Sequence, residues 1–306
     1  MKHLRNNCQI DIKGSKHKRQ LINYGYYHGY KGYRFFKKSN NRIPYTEFDE
    51  IISVIEFDNG VKSMLYKEVM FLETAMKNIV ISETIKNMKD VSFNSIYNKK
   101  MNDDLSNKNL RTKRLKLRDS VHSSISREYK KGNQMISHFY DRGDDIPIWS
   151  LFEIITFGEL ANFIECLDRA TRENLLQSLK MLSPTDTDRK LISDSLFNLN
   201  GLRNAVAHNS IVFDCRFKDR SPSKSLLAWI EEEIGLKIKF DYLIDYICLI
   251  CCLLKYLCCD RERINSFISS YENLLLDLYE KVEISIYQKI VSTEVRTKIK
   301  ILKNYI

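Results

Sequence analysis

The chain has 306 residues, 43% of them hydrophobic and 29% charged, with only 10 Gly and 4 Pro. That balance excludes disordered and collagen-like classes and the many tight turns of an all-β protein, so an all-α fold is expected. Net charge is +10, and residues 1–42 alone carry eleven Lys and Arg against one acid, Asp11, leaving the rest neutral overall. A segment of one sign suits a polyanionic partner, nucleic acid or anionic membrane, or else a solvated tail.

The opening MKHLRNNCQI has no apolar signal core. A cytoplasmic protein with free thiols is therefore expected. Lys13, Lys16, Lys18 and Arg19 precede LINYGYYHGYKGYRFF, residues 21–36. There Tyr24, Tyr26, Tyr27, Tyr30, Tyr33, Phe35 and Phe36 interleave with Lys31 and Arg34, and Lys37 and Lys38 follow. A single-stranded RNA surface uses such a mixture, with rings stacking on bases and cations holding phosphates. Rings 26, 30 and 33 also follow helical spacing, so most rings are expected to pack while the cations and Tyr27 meet RNA.

After Pro44 the pattern predicts two helices. In the second, Val61, Leu65, Val69, Leu72, Met76 and Ile79 form a core-facing stripe. Glu73, near that stripe, is expected to neutralise a neighbouring Arg. Residues 98–119 are rich in Asn, Lys and Arg and lack a sustained stripe, which predicts a flexible or weakly helical basic insertion. Arg111, Lys113 and Arg114 are its candidate phosphate contacts. Gly143-Asp144-Asp145 beside Pro147 reads as a loop capping one further helix, with a stripe of Leu151, Ile154, Ile155 and Phe163; a metal at this acidic turn is the weaker alternative.

Ser183-Pro184 breaks the chain, and Thr185 to Asp188 offer caps for a helix running to about His208. From Pro222 onward the pattern predicts three helical segments around the tract CLICCLLKYLCC. That tract holds Cys248, Cys251, Cys252, Cys258 and Cys259, five of the eight cysteines. No His or second separated Cys pair completes a zinc set, so these thiols are expected to pack a core. Asp245 and Lys255 interrupt the tract, leaving it short of the ~20 apolar residues that a crossing needs, so no membrane role is expected. No metal or cofactor site is expected anywhere in the chain.

The stretch LNGLRNAVAHNS, residues 199–210, carries the chemistry. At ~100° per residue, Ile192, Leu196, Leu199, Leu202 and Val206 share one face. Asn204 and His208 stack four residues apart on the opposite face, and Arg203 stands at the border. A polar surface patch is one reading. The other is half of a phosphodiester-cleaving site, since imidazole trades protons near neutral pH beside a cation and an amide that can hold a phosphate.

Arg203-Asn204-x-x-x-His208 resembles the RNxxxH signature of HEPN-superfamily ribonucleases. Four blocks narrow the resemblance to the Abi-like abortive-infection proteins of the AbiD/AbiF type. INYGYYHGYKGYRFF is similar to that family's aromatic opening, and IEFDNGVKSMLYKEVMFLETAMKNIV to its Phe-Asp helix. IPIWSLFEIITFGEL and LNGLRNAVAHNS resemble its Pro-x-Trp and Arg-Asn segments. They follow the family's order from about residue 21 to 213. Lys62 stands where the family often has Arg, Lys77-Asn78 where Arg-Asn or Arg-Thr is common, and Asn209 where a second His is frequent.

The resemblance implies a HEPN-like helical bundle, bacterial anti-phage defence and a metal-independent endoribonuclease leaving a 2′,3′-cyclic phosphate. It makes Arg203, Asn204 and His208 the catalytic set. With one motif per chain, activity would require a homodimer through the Asn204/His208 face. A small structured non-coding RNA is the implied partner. The expected organisation is a basic RNA-contacting segment at 1–45, a helical core at 46–220 with the insertion, and C-terminal helices at 221–306. A catalytically silent scaffold for a structured RNA is the main rival, and a helical protein–protein adaptor the third reading.

Overall fold

The structure, a computed structural model, describes residues 2–102, 104 and 106–306. Asp103 and Leu105, within the basic stretch 98–119, lie outside the described residues. The chain divides into two compact units, the first of Met1–Val69, Gly201–Ser221 and Ile230–Ile306, the second of Met70–Asn200 and Pro222–Trp229. The helices are α1 (Lys2–Cys8), α2 (Gly14–Tyr24), α3 (Phe48–Ile85), α4 (Phe93–Lys99), α5 (Lys108–Lys130), α6 (Gln134–Tyr140), α7 (Ile148–Ile154) and α8 (Phe157–Cys166). They continue with α9 (Arg169–Ser178), α10 (Leu191–Ala207), α11 (Lys224–Ile234), α12 (Leu243–Tyr256), α13 (Arg261–Lys281), α14 (Ile284–Ile290) and α15 (Val295–Tyr305). A single π-helical turn spans Tyr26–Lys31. Only isolated β-bridges occur among the described residues, so the protein is all-α.

In the first unit the core is built on α12. Its residues from Leu243 to Leu254 are buried, and it packs against α13 and α15. Cys248, Cys251 and Cys252 are fully buried with free thiols, and burial pushes the Cys248 thiol up to about 12. They pack as small apolar side chains, whereas Cys258, past the end of α12, is exposed and Cys259 is half-buried, so the expected packing holds for three of the five. A carboxylate in this helix needs a partner, and Asp245 accepts from the Lys298 ammonium of α15 at 2.7 Å and from the Lys239 N–H at 3.1 Å. Burial pushes the Lys298 ammonium down, but Asp245 and Glu294 reverse this and hold it above the usual lysine value. No described helix is long and apolar enough to cross a membrane.

The same unit holds the aromatic N-terminal segment. Tyr30, Tyr33 and Phe36 are buried, whereas Tyr27 is 71% exposed. Residues 26–31 form the π turn rather than the regular helix their spacing suggests, a geometry that recurs at functional sites.

In the second unit α5 packs against α6, α7 and α8. Residues 98–119 are expected to be weakly helical, but Lys108–Lys130 is one regular helix that buries Leu117, Val121, Ser124 and Ile125. The apolar stripe begins only at Leu117, downstream of most of the basic residues, which is why composition alone hides it. The segment after Pro147 is also two helices, not one. Thr156 closes a capping box with Glu159 and starts α8 afresh. Burial pushes the Glu159 carboxyl up, but hydrogen bonds from Ser120, Thr156 and Ser124 outweigh it and hold the group below the usual carboxylate range. Asp145 caps nothing: it accepts from the Asn94 amide at 2.7 Å, and Pro147 precedes α7 without a side-chain cap.

Two further expectations are corrected. The two helices predicted after Pro44 are one, α3, of 38 residues. Gly60 does not break it, because a Cβ there would lie 2.5 Å from Leu274 Cδ2, so the glycine seats a neighbouring side chain against the helix. Glu73 pairs with Lys77 at 3.1 Å. The C-terminal third has five helices, α11 to α15, separated at 235–242, 257–260, 282–283 and 291–294.

Candidate active site and nucleic-acid surface

Helix α10 begins at a buried acid. The Asp186 carboxylate accepts from the Lys190 and Leu191 N–H groups at 2.9 and 3.0 Å, satisfying donors that the helix start leaves open. Within the first unit the helix buries Leu202, Ala205 and Val206 and exposes Asn204 and Ala207, with Arg203 half-buried at the border. Arg203 Nη1 donates to Asn204 Oδ1 at 3.4 Å.

The helix then ends so as to present His208. Asn209 adopts φ +53°, a left-handed conformation that Asn tolerates. The Ser210 N–H reaches back to Ala205 O at 2.8 Å and the Asn209 N–H to Val206 O at 3.4 Å, closing the helix C-terminus. His208 is thereby the last residue of the turn, exposed to solvent.

What holds the next residues in place is Asp58, fully buried on α3. One of its oxygens accepts from the Val212 and Phe213 N–H groups at 2.9 and 2.7 Å. The other accepts from the Tyr33 hydroxyl at 2.7 Å and pairs with the Lys62 ammonium at 3.1 Å. Burial and the nearby carboxylate push the Tyr33 hydroxyl far up, so it remains a donor. Lys62 in turn donates to Asn209 Oδ1 at 2.7 Å, so two positions where the chain departs from the family's usual residues contact each other. A second fully buried acid, Asp214, accepts from the Lys37 N–H at 2.6 Å and the Arg216 Nε at 2.9 Å. Two buried carboxylates thus bind the N-terminal aromatic segment to the residues after the motif.

Between these elements opens a cleft of about 560 Å³. His208, His28, Lys62, Arg216, Tyr27 and Asn59 are among the residues on its wall, and no carboxylate lines it. An anion entering it meets two imidazoles and two cations, each cation already paired with a buried carboxylate behind the wall, Lys62 with Asp58 and Arg216 with Asp214. Arg203 and Asn204 lie on α10 one turn before His208 and are not part of this wall.

Of the other predicted RNA contacts, Lys31 is exposed and its ammonium sits 4.4 Å from the centre of the Tyr27 ring. Lys18, Arg19, Lys38 and Arg111 are exposed. Arg34 lies over the Phe35 ring. Several cations already have acid partners: Lys13 with Asp11 at 2.5 Å, Lys16 with Asp49 at 3.5 Å, and Lys37 with Asp241 at 3.5 Å. In the second unit Lys113 pairs with Glu165 at 2.5 Å, and Arg114 donates to Asn102 O at 2.8 Å. Periodicity and charge did not find His28, Lys62, Arg216 or Asp58. The only signal for His28 was an imidazole inside the aromatic run, and for Asp58 the Phe57-Asp58 pair of the α3 block.

An all-helical protein whose Arg-Asn-x-x-x-His helix opens beside a cationic cleft is the class that fold and geometry define. The chain belongs to the family described as Abi-like protein, whose sequence profile matches residues 19–214. The match covers the cleft's lining residues from Asn23 to Ile211 but not Arg216 or Phe217, and the family suggests a role in abortive infection, an anti-phage defence of bacteria. No curated protein and no solved structure matches the chain.

Proposed function

We propose that this protein is an RNA-acting HEPN-superfamily member of anti-phage defence, a metal-independent endoribonuclease that associates with a small non-coding RNA. The observation that carries the reading is the placement of His208. It directly follows the motif helix, exposed, on the wall of a cleft lined by His28, Lys62 and Arg216 and by no carboxylate. In this reading His208 transfers a proton, Arg203 clamps the non-bridging phosphate oxygens, and Asn204 orients one or the other. A 2′-hydroxyl attacks the adjacent phosphorus, leaving a 2′,3′-cyclic phosphate and a 5′-hydroxyl. Because the motif occurs once per chain, the second proton-transfer group comes either from another copy through the Asn204/His208 face or from elsewhere in the same chain.

His208→Ala is expected to lower cleavage of total bacterial RNA by about 100-fold or more while RNA binding persists. EDTA is expected to leave the wild-type rate unchanged. Cleavage by His208→Ala at the wild-type rate, or its abolition by EDTA, would sink the reading. The rival, a silent scaffold for a structured RNA, is favoured by the exposed cations present in both units, Lys18, Arg19 and Lys38 in one and Arg111 in the other. It predicts tight binding with no cleavage by the wild type.

A further inference from the structure

The cleft that exposes His208 contains a second imidazole, and the architecture around it is built to keep the two together. His28 sits on the π turn Tyr26–Lys31 and lines the same cleft as His208. The turn is seated on the loop after the motif. A Cβ at Gly32 would lie 2.6 Å from Ile211 Cδ1, so the glycine lets that side chain pack on the backbone beside His28's turn. Immediately after, the Tyr33 ring stacks on Phe213 with centroids 5.5 Å apart and planes within 12°. Asp58 then joins the two segments, taking the Tyr33 hydroxyl with one oxygen and the Val212 and Phe213 N–H groups with the other.

We infer that His28 and His208 form a proton-transfer pair within one chain, acting across the cleft on the phosphodiester of a single-stranded RNA. The inference rests on the endoribonuclease reading and names where its second proton-transfer group comes from. One imidazole takes the proton from the 2′-hydroxyl as the O2′–P bond forms. The other gives a proton to the 5′-oxygen as the P–O5′ bond breaks. The products are the cyclic phosphate and the free 5′-hydroxyl; no water, metal or oxidant is consumed, and the two imidazoles exchange protonation states until solvent restores them. Lys62 and Arg216, each backed by a buried carboxylate, face the same space as hydrogen-bond donors for the phosphate, and the exposed Tyr27 ring with Lys31 over it offers a stacking surface at the rim. The other titratable groups on the wall are Tyr24 and Tyr33. A second copy of the chain is then not required for the acid–base step.

The test uses the full-length protein and a mixed-sequence single-stranded oligoribonucleotide, with and without a bridging 5′-sulfur at one linkage. His28→Gln and His208→Gln are each expected to lose about 100-fold or more in kcat/KM. RNA affinity should change by less than about threefold. Both side chains are exposed, so neither change disturbs the core. An equimolar mixture of the two variants is expected to stay inactive. One variant, whichever lacks the acid, is expected to regain most of its rate on the 5′-sulfur substrate, because a thiolate leaves without a proton. A His28→Gln protein with the wild-type rate beside an inactive His208→Gln overturns this inference and leaves the endoribonuclease reading standing. So does a loss of rate matched by an equal loss of affinity, or a failure of both variants to respond to sulfur. Recovery of activity on mixing overturns the single-chain arrangement. A wild type that cleaves neither the oligomer nor total cellular RNA overturns both readings.

Discussion

Asp58 shows how a single residue can hold a site without touching its chemistry. A buried carboxylate is tolerated only when its lone pairs are filled. Here two backbone N–H groups, a hydroxyl and an ammonium fill them. Asp58→Asn would set an amide against donors and strip Lys62 of its counter-charge, and the expected cost is about 3–5 kcal/mol. Tyr33→Phe removes one hydrogen bond to the carboxylate and should cost only about 1.5–3 kcal/mol. Thermal unfolding of the two variants beside wild type checks the order; an Asp58→Asn protein that melts like wild type would show that the hub does not hold the loop. In the sequence Asp58 stood out only as part of the Phe57-Asp58 pair of the α3 block, with no role attached to it. Its partners at 33, 212 and 213 are far away along the chain, so no local pattern could reveal it.

At the scale of the helix, two glycines in long helices behave oppositely for a reason visible only in three dimensions. Replacing Gly by Ala in a helix gains about 1 kcal/mol of propensity. At Gly60 the new Cβ meets the end of the Leu274 side chain at 2.5 Å, which can swing aside, so Gly60→Ala should stay within about 1 kcal/mol of wild type. At Gly201 it collides with the Phe217 backbone oxygen, which cannot move without displacing the segment that carries Arg216. Gly201→Ala should therefore lose about 1–3 kcal/mol despite its better propensity. Chemical denaturation of both variants decides it, and a Gly201→Ala protein more stable than wild type would contradict the packing argument.

For the molecule as a whole, the basic segment is less uniformly available than its charge suggests. Lys13, Lys16 and Lys37 are paired with acids, and Arg216 is held by Asp214, whereas Lys18, Arg19 and Lys38 are exposed with none of these partners. Neutralising phosphates releases counterions, about 0.7–0.9 per contact. Changing Lys18, Arg19 and Lys38 together to Gln should thus lower the slope of log K against log salt by about two units in RNA binding. Changing Lys13 and Lys16 should lower it by less than one, since each already has a carboxylate beside it. Equal slopes for the two variants would mean that the paired lysines are released to RNA on binding.

The helical class, the burial of Cys248, Cys251 and Cys252 and the face on which Asn204 and His208 stand all follow from local spacing, because helix periodicity is a short-range property written in residues three and four apart. Arg203 at the border of that face was legible for the same reason. The cleft was not. His28 and Lys62 come to the cleft of His208 through Asp58, Gly32, a stacked ring pair and the Lys62–Asn209 hydrogen bond, contacts that join segments about 150 residues or more apart. Such contacts are set by packing and by the need to satisfy buried charge, so the motif was written in the sequence and its company was decided by the tertiary structure.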